Sequence, residues 1–207
     1  FDADGDLVSQ AAHIPVHLGA MPMAVKAARQ HVPFEDGDVV LVNDPALGGT
    51  HLPDITAIQA LRIHPSDALP IAYVANRAHH ADVGGIVPGS MGLTEQLSDE
   101  GVVIPPTTWI NNGIIDSAVE NSLIQSMRFP DERKGDLLAQ KAALQTGITG
   151  LQKLLDRLGE KEVLQGFREL QNAAERHVRF LIDQIPNGRY IALEQLDGDG
   201  FSDQPIL

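Results

Sequence analysis

The stretch DITAIQALRIHPSDALPIAYVANRAHH, residues 54–80, decides how the rest of the chain is read. Two apolar, β-branched runs, 54–63 and 69–80, flank the breaker segment HPSDA. Runs of that texture bounded by Pro, Ser and Asp are strand signals, and a short connection predicts an antiparallel hairpin. Antiparallel pairing sets the start of one strand beside the end of the other. Asp54 opens the first run, and His79 and His80 close the second. Just upstream, NDPALGGTHLPD (43–54) adds His51 three residues before Asp54, and ANRAHHADVGG (75–85) repeats the combination of His, Asp and Gly-Gly. Turn chemistry accounts for the Asn, Asp, Pro and Gly of these segments. It does not account for the histidines. A polar site borne on loops at one end of a hairpin does.

Around the hairpin, DVVLVND (38–44) reads as a short buried strand closed by breakers, and MPMAVKAARQHV (21–32) as a helix with Pro22 in its first turn. The opening FDADGDLVSQ reads as the end of one strand, a tight turn and the start of another. This implies an absent first strand and an excised portion of a longer protein. After about residue 116 the texture turns helical. Leu137, Leu144, Ile148, Leu151, Leu155 and Leu158 form one stripe at helical spacing; Val163, Phe167, Leu170, Ala174, Val178, Leu181 and Ile185 form a second. Gly159 separates them as a C-terminal cap, so core packing in an antiparallel helical hairpin is expected. PNG (186–188) then precedes an expected returning strand, RYIALEQL (189–196). The predicted fold class is α+β: mainly antiparallel strands over 1–115, then a helical hairpin and strand over 116–207.

Composition narrows the chemistry. Hydrophobic residues at 43 % and charged residues at 21 % are ordinary for a globular chain of 207 residues. The formal net charge of −13 opposes a phosphate backbone or an anionic lipid surface, so neither nucleic acid nor membrane is an expected partner. Cysteine is absent, which excludes disulfides and a thiol nucleophile and is compatible with the cytoplasm. No apolar run approaches the roughly 18 residues of a membrane-spanning helix. Neither a GxxxxGK[ST] loop nor an HExxH or GxSxG motif occurs. DADGD and LDGDGFSD have misplaced Gly and no Glu at the twelfth position, so they read as turns rather than calcium loops.

A metal ion needs several donors converging from fixed backbone, and His with carboxylate suits zinc, manganese or iron. His51 and Asp54, with His79 or His80 across the hairpin, supply three donors and leave positions open for water and substrate. Consecutive strand residues point to opposite faces, so His79 and His80 do not share one ion. The alternative is that these histidines merely hydrogen-bond loop backbone. His13 and His17, four apart in HIPVHLG, are placed in a loop by Pro15 and read as structural or as a wall of a substrate pocket. Glu95 and Glu100 are candidate general acid–base carboxylates, with a solvated loop as the alternative. His177 reads as packed on its helix.

These residues also carry a family resemblance. FDADGDLVSQAAHIPVHLGAMP (1–22), NDPALGGTHLPDIT (43–56), ANRAHHADVGGIVPGSM (75–91) and EGVVIPP (100–106) resemble, in the same order, the hydantoinase B/oxoprolinase family. Its members include the B subunit of ATP-dependent N-methylhydantoinases, the C-terminal half of 5-oxoprolinase and, more distantly, a large subunit of acetone carboxylase. Members are much longer chains, so the resemblance implies an N-terminal portion. It also implies that a hydantoinase A-type partner subunit or domain binds ATP and phosphorylates the carbonyl oxygen of a cyclic amide. The B-type part would hold a divalent metal ion where the activated species is hydrolysed. His51, Asp54 and His79 match the implied metal ligands, and His80 is less secure. Asp82 would orient a ligating His, while Asn43 and Asp44 would shape the loop beneath. The expected catalytic set is Asp44, Asp82 and Glu95, and the expected substrate-binding set is His13, His17, Asn43 and His80. Alternatives are a subunit of an ATP-dependent carboxylase like acetone carboxylase, or a non-catalytic assembly fragment.

Overall fold

The computed structural model describes residues 1–11, 15–64, 67, 69–90 and 92–194. Phe1–Gln171 form one compact unit, and the chain from Asn172 onward forms a second.

The first unit is built on a five-stranded antiparallel sheet. Its strands are β1 (Val39–Val42), β2 (Asp54–Leu61), β3 (Ala72–His79), β4 (Thr107–Asn111) and β5 (Ile114–Ile115), in the order β3-β2-β1-β4-β5. Helix α1 (His17–His31) precedes β1, and the single turn α2 (Leu97–Glu100) precedes β4. Helices α3 (Ser117–Ile124), α4 (Pro130–Leu158) and α5 (Glu160–Asp183) follow β5. The fold class is α+β, as the sequence predicts.

Strand alternation divides the core in two. Val40, Val42, Ile58, Ala60 and Tyr73 face Ala24, Val25, Ala28 and Phe34, so α1 covers one face. Val39, Leu41, Ile55, Ala57 and Trp109 point the other way and pack with Leu123 of α3 and Leu137 and Leu144 of α4. All four residues of β1 are buried because helices lie on both sides of it. In α1 the buried positions Met21, Ala24, Val25 and Ala28 follow the helical repeat.

Several boundaries differ from expectation. α1 begins four residues earlier than predicted, so Pro22 lies beyond the first turn and His17 is the first helical residue rather than part of a loop. Strands continue to residue 115. Asn112 and Gly113, with φ of 48° and 79°, make the two-residue turn joining β4 to β5; an Asn-Gly pair is the sequence signal for such a turn. After the opening turn, residues 6–11 form no strand; at the start, Asp2 bridges Ala72 on the outer edge of β3, and Phe1 and Tyr73 exchange backbone hydrogen bonds.

Burial of the helical stripes is uneven. Leu137, Leu144 and Ile148 of α4 are buried against the sheet. Phe167 in the first half of α5 joins Leu151 and Leu155 of α4 over Leu61, Ala72 and Ile148, which is the expected helical hairpin at its closed end. Further along, Leu170, Val178 and Leu181 of α5, and Ile185 just beyond it, are about half exposed rather than packed in a core as expected. Within the second unit, residues 189–194 are exposed and form no strand; 195 and 196 lie outside the described residues. Among the described residues, no helix is long and apolar enough to cross a membrane.

Candidate metal centre

The register of the hairpin places Asp54 directly opposite His79 and Thr56 opposite Arg77. These four side chains share the face that α1 covers, since they alternate with Ile55 and Ala78. His51 joins them from a tight turn in which the Asp54 N–H donates to the His51 carbonyl. Buried Leu52 anchors that turn in the core. One ligand atom from each of His51, Asp54 and His79 lies within 4.8 Å of the others. The two imidazoles stack with centroids 5.4 Å apart and planes at 17°. Donors about 2.1 Å from an ion stand roughly 3.4 Å apart in a tetrahedral shell. His79 is half exposed, with room for its side chain to adjust, while Asp54 is held in place at 11 % exposure. Two imidazoles and a carboxylate fit a divalent transition-metal ion.

The carboxylate of Asp54 is fixed at both oxygens. Oδ1 lies 3.0 Å from His79 Nδ1, and Oδ2 accepts from the Thr50 hydroxyl at 3.1 Å. Thr50 in turn accepts from Arg77 Nη1 at 3.3 Å; Arg77 Nε donates to Thr56 Oγ1 and Nη2 to the Gly48 carbonyl. Burial lowers the pKa of Arg77, an effect that the Asp54 charge opposes. Sequence reasoning missed both Thr50 and Arg77. Counting by two back from His79 along the strand would have found Arg77.

The glycines beneath the centre are there for close approach. A Cβ on Gly48, whose φ is +87°, would sit 2.3 Å from the backbone nitrogen of Ala24 in α1. One on Gly49 would sit 1.9 Å from the Asn43 carbonyl. The loop can therefore lie flat between α1 and the end of β1 only without side chains there.

The other predicted residues are placed as follows. Asn43 is fully buried, donating to the Leu52 and Val102 carbonyls and accepting from the Ile104 N–H, so it ties three segments together beneath the turn. The Asp44 side chain caps the short turn Pro45–Leu47 by accepting from the Ala46 N–H. His80 points to the opposite face from His79: it is 2 % exposed, and its Nε2 donates to Gln140 Oε1 of α4 at 2.9 Å. Burial lowers the pKa of His80, although the Gln140 hydrogen bond favours the charged form. The Asp82 carboxylate is occupied by the Arg128 guanidinium at 2.6 Å and by the N–H groups of Arg128 and Gly84, rather than by a histidine. Burial acts to raise its pKa, but those donors outweigh it and hold the carboxyl below the usual range. Glu95 is exposed, Glu100 accepts from the Thr94 hydroxyl, and His177 lies exposed on α5. His17 sits in the first turn of α1, and His13 lies outside the described residues. The long-range partners Gln140 and Arg128 carried no sequence signal.

Comparison with known proteins gives the setting for this geometry. The chain is 34 % identical over 205 residues to 5-oxoprolinase 1 of Arabidopsis thaliana, an alignment covering 90 % of this chain and 16 % of the relative. It is 32 % identical to the caprolactamase subunit beta of Pseudomonas jessenii, covering 97 % of this chain and 34 % of that one. The crystal structure of the ATP-dependent caprolactamase from that organism superposes with a TM-score of 0.77 over 84 % of this chain and 30 % of the solved chain. A nucleotide-free acetone carboxylase superposes with a TM-score of 0.75 at 21 % identity, over 82 % of this chain and 23 % of that one, a likeness of fold alone. The chain thus spans between 15 % and 34 % of the length of such curated relatives. The hydantoinase B/oxoprolinase profile matches residues 1–206, and the chain belongs to that family.

Proposed function

We propose that this chain is the metal-holding part of an ATP-dependent hydrolase of cyclic amides, working with a hydantoinase A-type subunit or domain that binds ATP. The observation that carries the reading is the convergence of His51, Asp54 and His79 within 4.8 Å, in a chain whose relatives include 5-oxoprolinases and a caprolactamase subunit. His51, Asp54 and His79 would hold a divalent ion. When bound, such an ion polarises a carbonyl and lowers the pKa of water toward about 7. The chain's own residues do the rest. Thr50 and Arg77 hold the Asp54 carboxylate in one orientation, and the stacked imidazoles keep the donors on one side. Leu52 and Asn43 stiffen the turn that carries His51.

Carboxylation, the alternative chemistry, has only the likeness of fold to acetone carboxylase behind it. The test uses the full-length subunit assembled with its ATP-binding partner. Wild-type protein should contain about one metal ion per chain and open a lactam ring only with ATP. His51→Ala should lose both metal and turnover. Ring opening that persists in His51→Ala with metal retained would remove these residues from the site.

A further inference from the structure

A cavity of about 330 Å³ lies between α1 and β3, on the same sheet face as the metal-site residues. Its wall includes Ser9, Gln10, His17, Met21, Ala75 and Arg77. Ala75, Arg77 and His79 alternate along β3, so Arg77 stands about 7 Å along the strand from His79. No Asp or Glu lines the cavity among the described residues, although the chain carries a formal charge of −13. A comparable cavity at the far end of the hairpin also has arginines, Arg29 and Arg62, but sets Asp4 and Glu35 beside them.

The donors in the wall are partly uncommitted. Arg77 spends three of its five N–H groups on Thr56, Thr50 and Gly48, leaving one on each Nη. Ser9 and Gln10 add a hydroxyl and an amide. Each remaining N–H of the guanidinium can donate a charge-assisted hydrogen bond to an oxygen of a tetrahedral anion. We propose that this cavity is an anion site that takes a phosphate group, held by Arg77 with Ser9 and Gln10 in the same wall. Resting on the reading of the chain as part of an ATP-dependent cyclic-amide hydrolase, the inference identifies the ligand as the phosphoryl group of the activated amide or the phosphate released from it. Arg77 then joins the two halves of the site. Its Nη1 steadies Asp54 through Thr50 while its uncommitted N–H groups receive the anion, so the reacting carbon is presented toward His51, Asp54 and His79.

Inorganic phosphate is the probe, titrated by calorimetry into the full-length subunit assembled with its partner. Ala75→Glu places a carboxylate in the cavity without touching any Arg77 hydrogen bond, and should weaken phosphate binding at least tenfold with metal content unchanged. Arg77→Met should do the same and Arg77→Lys should restore part of the loss. Because Arg77 also braces the loop, Ala75→Glu is the deciding variant. Phosphate affinity equal to wild type in Ala75→Glu would overturn the proposal, as would a wild-type enzyme that opens lactams yet has no phosphate affinity. Phosphate binding that Ala75→Glu abolishes, in a protein that opens no lactam, would keep the anion site and discard the hydrolase reading. Phosphate displaced from the site by a non-hydrolysable phosphoryl-amide analogue identifies the phosphoryl group of the activated substrate; a site that takes phosphate but not the analogue identifies the released phosphate.

Discussion

Asp54 and His79 stand opposite each other across β2 and β3, with carboxylate Oδ1 and imidazole Nδ1 3.0 Å apart. Twenty-four residues separate them in the chain, yet the strand register alone brings them together. That pairing makes Asp54 the most constrained of the three candidate ligands, since Thr50 holds its second oxygen.

Replacing Asp54 by Asn keeps the shape and both hydrogen-bond positions but removes the charge that a cation needs. Metal content measured by elemental analysis should fall to near zero in Asp54→Asn, with far-UV circular dichroism unchanged. Thr50→Val, which leaves the ligands intact and removes only the bracing hydroxyl, should weaken metal affinity by about 10-fold. Equal metal affinity in Thr50→Val and wild type would show that the brace is idle.

The Gly48–Gly49 pair should tolerate no side chain. Gly49→Ala forces a methyl toward the Asn43 carbonyl, and Gly48→Ala combines a clash at α1 with positive φ. Each should cost about 1–3 kcal/mol or more and lower the metal affinity with it. Thermal melting of the two variants against Gly89→Ala, where a Cβ meets open space, separates packing from backbone strain, because Gly89 also has positive φ.

Stability should fall in acid partly through Asp82. Its pKa is depressed in the folded state, so the stabilisation is present above the unfolded value near 4 and is lost as the pH falls below it toward the folded value. Asp82→Asn should flatten that acid limb in chemical denaturation series between about pH 5 and 2. At neutral pH it should cost about 1–3 kcal/mol, since Arg128 loses its charged partner. An unchanged acid limb would mean that the Arg128 pair does not persist in solution.

Gln140 is the clamp between α4 and the hairpin. Its amide accepts from His80 and donates to Asn76 Oδ1 and the Ile55 carbonyl. Gln140→Leu strands these buried groups and should cost about 1–3 kcal/mol, or a few degrees in melting temperature. Gln140→Glu, which keeps an acceptor for His80, should recover part of the loss. A neutral outcome for Gln140→Leu would show that α4 is held by its apolar contacts alone.

Much of this was legible in the residues themselves. Alternation and breakers marked β1, β2 and β3, and antiparallel pairing then followed for 54–63 with 69–80, bringing Asp54 to His79. The same alternation separated His79 from His80, which the structure places on opposite faces. Local pattern failed where the determining contact was remote or competing. A helical stripe on α5 reads as core, but what covers a stripe is decided by neighbours, and beyond Phe167 its apolar residues stay largely exposed. Pro15 argued for a loop at His17, whereas the structure starts α1 there.

Strand periodicity and register are properties of short segments, so the residues alone specify which side chains could meet at the end of the hairpin. What surrounds them depends on the packing of distant elements. Thr50 and Arg77 brace Asp54, Gln140 of α4 captures His80 from 60 residues away, and Arg128 takes Asp82 from 46 residues away. Those pairings depend on where helices land on the sheet. A polar side chain buried far from water must find a partner there, and no local pattern names which one.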